Sequence, residues 1–218
     1  MGTSKEWREK AKRLDKLFDN QIITLKKLDC PEKVIDILKR HENEVISFCL
    51  HIRIPPNRIP FLPVITPAYC KLEELMLMVR NKKEKGRVFP QVAADRYPVI
   101  DAVGSQPFLR TRFDPYFVIN IEDGTLNKGV EAIRAQKKII SNHRSPLTVA
   151  ESISLCIHTD VLSRHFLWAA GSRWRGEYRI PEISLTDFGE MPQLANEDIS
   201  NCHEFSWGTA SCGYRGVG

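Results

Sequence analysis

The sequence predicts an α+β protein: an N-terminal helical hairpin, then a mixed, mainly antiparallel sheet with helices packed on one side. Three observations carry this expectation. Apolar residues of the first 52 positions repeat at helical spacing and stop at a proline pair. Tyr116-Phe-Val-Ile-Asn-Ile-Glu122 is a dense run of aromatic and β-branched residues, closed as a turn by Asp123-Gly124. After it, a helix with its own start signal is followed by two more strand-like runs.

The elements follow in order. Thr3 and Glu6 form a capping-box pattern, and Trp7, Ala11, Leu14, Phe18, Ile22, Leu25 and Leu28 share one helix face. Asp29-Cys-Pro-Glu32 restarts a second helix with the stripe Val34, Leu38, His41, Val45, Phe48 and Ile52. Ile54-Pro55-Pro56 ends it, because a residue before proline avoids the α region. His41 on that stripe reads as a core or boundary histidine. The division expected is a helical region over 1–57 and an α+β domain over 58–218.

Arg58–Thr66 is apolar but punctuated by prolines, which suits an edge strand. A helix with Leu72, Leu75, Met76 and Val79 on one face comes next. Pro98–Val103 fits a short strand or a helical turn equally well. In the 116–122 run, Phe117, Ile119 and Ile121 alternate with a second set that is itself half apolar, the pattern of a central strand covered on both faces. Asn127 can cap a helix ending near Asn142. Thr148 and Glu151 form a capping box for a helix that buries Val149, Ile153, Cys156 and Ile157. Residues 165–170 and 180–185 read as strands of one sheet with 116–122, and Asp187–Glu190 as a hairpin turn. The tail from Asn196 shows no periodicity.

Length and composition fit an ordinary globular chain, with 42% hydrophobic and 27% charged residues. No run reaches the ~18 apolar residues that span a bilayer. The N-terminus lacks the apolar stretch of a secretory signal, and Glu6 breaks a myristoylation motif. Six scattered cysteines without a CxxC read as reduced and cytoplasmic. Residues 1–40 carry 11 basic and 7 acidic groups, while 174–218 carry 3 and 7, so the ends can attract each other. Bases alternate with acids rather than clustering, so a nucleic-acid partner is not expected.

No phosphate loop, dinucleotide glycine pattern, HExxH or GxSxG occurs, and no cofactor is expected. Three constellations could carry chemistry. Cys202, His203, Cys212 and His158, with His165, are the right donors for zinc, but adjacent Cys-His side chains diverge and the spacing is atypical. Cys212, between Ser211 and Gly213, could be an exposed nucleophile if Arg215, His203 or His165 lowered its pKa. The ordinary alternative is a tail that packs Trp207 and Cys212 onto the sheet. Asn120, Glu122 and Asp123 lie at a strand end, with Asp160 after the capped helix, where carboxylates can hold a metal or move protons. The bland version has Asp123 shaping its turn and Glu122 in an ion pair, with Arg110 and Arg112 available. Arg173 suits a buried structural arginine or an anion clamp.

Five segments in order, Pro115–Gly124 (PYFVINIEDG), Ser145–Glu151 (SPLTVAE), His158–Leu162 (HTDVL), Ala170–Arg173 (AGSR) and Trp207–Arg215 (WGTASCGYR), resemble the successive motifs of a bacterial family catalogued only as a domain of unknown function. The resemblance spans about residues 58–215. It implies a bacterial cytoplasmic protein without an established activity, and it carries over no catalytic residues. Between Pro181 and Trp207 the chain departs from the tryptophan-rich pattern of that family.

The leading expectation is a non-enzymatic cytosolic binding or interaction protein. The rival is a cysteine- or metal-dependent enzyme whose site joins the C-terminal loop around Cys212 to the 158–173 connection, with Cys212, His165, Arg173 and Asp160 converging. Its partners would be a small molecule or a protein, with self-association through residues 1–52 and no membrane.

Overall fold

The structure is a computed structural model, and it describes residues 4–89, 114–172, 179–186, 189–198 and 206–217. The predicted helix cap at Thr3 and the segment Pro98–Val103 lie outside the described residues.

The N-terminal stripe forms α1 (Ser4–Lys27), and Leu14, Phe18, Ile22 and Leu25 are buried along it. The second predicted helix is two, α2 (Glu32–Arg40) and α3 (Glu42–His51). They break at His41, whose φ of −98° and ψ of 4° lie in the bridge region. His41 is half-buried beside Glu44 at 3.4 Å, so it is a boundary histidine. β1 (Ile59–Val64) follows as an edge strand, then α4 (Leu72–Met78) and three two-residue strands, β2 (Arg80–Asn81), β3 (Glu84–Lys85) and β4 (Arg87–Val88).

β5 (Tyr116–Ile121) is the centre of an antiparallel sheet, between β1 and β12 (Tyr214–Val217). Every residue of β5 except Asn120 is buried, as its two-sided pattern predicts. Asn127 does not cap the next helix. It is buried in the 3-10 turn Thr125–Asn127, and α5 runs Ala132–Ser141 with Glu131 at its cap. After β6 (Ser145–Pro146), Thr148 and Glu151 close their capping box at the start of α6 (Val149–His158). α6 is buried on nearly every side because it packs against both β1 and β8 (Arg179–Leu185).

The predicted strands at 165–170 and 180–185 exist as β7 (Phe166–Trp168) and β8, but they are not in one sheet with β5. They belong to a five-stranded mixed sheet ordered β10-β7-β8-β9-β4, in which β9 is Pro192–Asp198 and β10 is Trp207–Gly208. β8 and β9 form the predicted hairpin, and α6 meets the three-stranded sheet through β1 and the five-stranded sheet through β8. The tail carries β10, β11 (Ser211–Cys212) and β12. Strands this short cannot show period-two patterning, so the sequence reads as irregular there.

Phe18 of α1, Phe61 of β1 and Phe117 of β5 lie 5.8–6.3 Å apart between ring centres, which ties the N-terminal helices to the central sheet in one continuous core. No helix among the described residues is long and apolar enough to cross a membrane.

Candidate functional site

The register of the central sheet creates the first part of the site. Ile59 pairs with Ile121, so Arg58, one residue before β1, falls opposite Glu122, one residue after β5. Glu122 bridges to Ser211 through two backbone hydrogen bonds of 2.8 and 2.9 Å. The second part comes from the end of α5. His143 has φ +55°, its N–H donates to the Ile140 carbonyl, and the Arg144 N–H donates back to Ile139. This is a Schellman closure with histidine where glycine or asparagine is usual. It aims Arg144 at the strand end. Arg144 donates from Nη2 to the carbonyls of Asn120 at 2.6 Å and Ser211 at 3.0 Å, and from Nε to Ser211 Oγ at 3.0 Å.

Three properties mark this cluster out. Asn120 has φ +57° inside a strand, a conformation that costs energy for most residues and that asparagine tolerates best after glycine. Its Oδ1 is buried without a hydrogen-bond partner. Arg58 is half-buried, and its Nη1 is likewise buried and unpartnered. Burial pushes the Arg144 pKa down to about 10, and the charge of Arg58 adds to the shift, so Arg144 stays charged at neutral pH. Glu122, itself buried, accepts from the N–H groups of Gly124 and Leu126 at 3.1 and 2.9 Å. Burial raises its pKa, while the Leu126 N–H and Arg58 pull it down. Gly213 lies over the Asn120 side chain, where a Cβ would come within 3.2 Å of Nδ2.

The predicted residues are distributed differently from the expectation. Cys212 is fully buried, not exposed. Burial pushes its thiol up to about 12, against the pull of Arg215. Arg215 and Glu151, both at 0% exposure, form a bidentate pair beside it at 2.7 and 3.0 Å, and Arg215 also donates to the Pro146 carbonyl. Tyr116 donates at 2.9 Å to Glu151 Oε1, the oxygen that also accepts from Arg215 Nε. Arg215 is thus held by Glu151 and the Cys212 thiol stays protonated at neutral pH, so this part of the tail is packed, as the ordinary alternative supposes.

The tail does lie on the 158–173 connection, through the parallel pairing of Trp207–Gly208 with Phe166–Leu167. His165 is buried there, against Gly124 and Gly208, with Nδ1 at 3.0 Å from the Phe166 carbonyl and Nε2 unpartnered. Asp160 is exposed and meets Asp123 through Arg164, at 3.4 and 2.6 Å. The third constellation is therefore partly assembled, with a cation between its carboxylates. Asp123 also caps its turn through Thr125 at 3.0 Å, whereas among the described residues Glu122 accepts from backbone N–H groups and from Asn127 Nδ2 and forms no ion pair. His158 borders a cavity of about 440 Å³ together with Arg80, Lys82, Thr159 and Asp160, and burial pushes its pKa down to about 3. Arg173, Cys202, His203, Arg110 and Arg112 lie outside the described residues. Among the described residues no three His, Cys, Asp or Glu side chains are placed to hold a metal ion.

Sequence reasoning missed Arg58 and Arg144. Neither has a local signal, since strand register places one and an unusual helix closure places the other. Comparison with known proteins finds no matching family model, no matching curated protein and no matching solved structure.

Proposed function

We propose that the chain is a non-enzymatic binding protein of the cytosol whose ligand is an anion held at Arg58 and Arg144. The observation that carries this reading is the unpartnered, sheltered Nη1 of Arg58 beside a second guanidinium. A buried cationic donor without a partner is costly, and guanidinium forks match carboxylate and phosphate oxygens. The packed state of Cys212 supports a binding role over a thiol nucleophile.

Thermal denaturation tests the reading. Millimolar acetate or phosphate raises the melting temperature of the parent protein by mass action, and the shift is lost in Arg58→Gln. Equal shifts in both proteins overturn the proposal. The enzymatic rival draws support from the pairing of the tail with the 158–173 connection and from the unpartnered Nε2 of His165. Limited alkylation near neutral pH distinguishes the two. A packed Cys212 labels only on unfolding, and labelling of Cys212 ahead of the buried Cys156 would favour the rival.

A further inference from the structure

We infer that the chain carries a second small-molecule site, for an aliphatic α-amino acid held as its zwitterion, in a cavity of about 350 Å³ where the α1–α2 turn, α4 and the β2–β3 hairpin meet. The inference goes beyond the anion reading and does not rest on it. The volume falls within the range of small-molecule sites, which combine an apolar lining with a few polar groups that fix orientation. The basic groups come from the hairpin. Arg80 and Lys85 are direct cross-strand partners, and both line the cavity. Like charges directly opposite each other in a sheet are destabilising, and neither side chain forms an ion pair among the described residues. A carboxylate between them relieves that repulsion.

The acidic groups come from the other two elements. Asp29 closes α1 in the left-handed region at φ +59°, its N–H donating to the Lys26 carbonyl and the Cys30 N–H to that of Leu25. Aspartate visits this conformation more readily than most residues, and the turn sets Asp29 at the cavity. Glu74 is fixed by the Lys71 N–H, which donates to its Oε2 at 2.7 Å. Among the described residues no ion pair joins Asp29 or Glu74 to Arg80 or Lys85, so acids and bases line one cavity without pairing directly. A zwitterion bridges that gap, because its ammonium donates to the carboxylates while its own carboxylate accepts from the basic pair. A simple anion or cation meets only one of the two sets. Much of the remaining lining is apolar. Leu77 is 51% exposed, and the half-buried Leu28 and the buried Met78 line the cavity with it. An aliphatic side chain laid on Leu77 removes apolar surface from water.

The probes are L-leucine, N-acetyl-L-leucine, L-leucinamide and glycine, titrated into the full chain and followed by calorimetry and by the NMR methyl signals of Leu28 and Leu77. The parent protein should bind leucine with shifts at both residues. It should bind each blocked derivative about ten-fold more weakly or worse, because each lacks one charge-assisted contact. Glycine, without the side chain, should also bind more weakly than leucine. The double variant Arg80→Gln, Lys85→Gln should lose leucine binding. Asp29→Asn, which keeps the left-handed turn accessible, should weaken it several-fold. All three positions are exposed, so these variants should fold. Arg58→Gln should bind leucine as the parent does, which separates this cavity from the anion site. No leucine binding by the parent, equal binding of leucine and either blocked derivative, or parent-like binding in the double variant would overturn the inference. Loss of leucine binding in Arg58→Gln would place the carboxylate at the anion site and overturn the assignment to this cavity. Leucine binding without any response to acetate or phosphate would overturn the anion reading alone.

Discussion

Two arginine–glutamate clusters flank β5, and they differ in how the guanidinium charge is met. At its N-terminal end Tyr116, Glu151 and Arg215 form a buried network in which the guanidinium grips both carboxylate oxygens and the phenol donates to one of them. At its C-terminal end Arg58 and Glu122 sit opposite each other in register, yet Arg58 keeps a sheltered N–H unpartnered and Asn120 keeps a buried oxygen unpartnered. The strand and the residue types are shared. The difference teaches that burial of charge alone does not mark a ligand site. A buried guanidinium held by a bidentate carboxylate anchors structure, while a sheltered one that no described carboxylate grips, at a strand end, is where a ligand anion is proposed to bind.

Substitutions can break that contrast. The largest effect is expected at the closed network. Glu151→Ala removes the partner of a fully buried arginine, a tyrosine acceptor and half of a capping box, and should cost ~3–5 kcal/mol by denaturant unfolding. A loss below ~1 kcal/mol would mean that this network is not what anchors the tail to α6. Arg144→Ala comes next. It strips donors from the Asn120 and Ser211 carbonyls and should cost ~1–3 kcal/mol, with the anion response lost as well.

Arg58→Gln is expected to change stability by only ~0.5 kcal/mol while abolishing the anion response, because no described residue hydrogen-bonds its sheltered Nη1. A cost comparable to that of Glu151→Ala would erase the distinction between the two clusters. The smallest effect is a pH slope. Burial holds the Glu122 carboxyl above its ordinary range, so the folded state keeps a proton that the unfolded chain has released. Its contribution to stability therefore falls as pH rises from the ordinary glutamate range through the raised value. The stability of the parent relative to Glu122→Gln should decline as pH rises from the ordinary glutamate range, about pH 4, and a rise would reverse the sign assigned to this carboxylate.

What the sequence by itself determined is local. The α1 stripe, the Thr148–Glu151 cap, the two-sided apolar pattern of β5 and the β8–β9 hairpin all rest on interactions within a few residues, and each is found. The tertiary structure decided three other things. It put β5 in one sheet and β7 and β8 in another, with α6 packed against both, because strand partners are chosen by distant pairing and not by propensity. It buried Cys212 despite its glycine and serine neighbours, because the pairing of Ser211 and Cys212 with Pro146 and Ser145 folds the tail inward. It brought Arg58 to Arg144, through the β1–β5 register for one and the αL closure at His143 for the other. Caps and periodicity are written in neighbouring residues. Register, burial and the unpartnered valences of a site arise only when segments far apart in the chain meet, and no short window of sequence contains them.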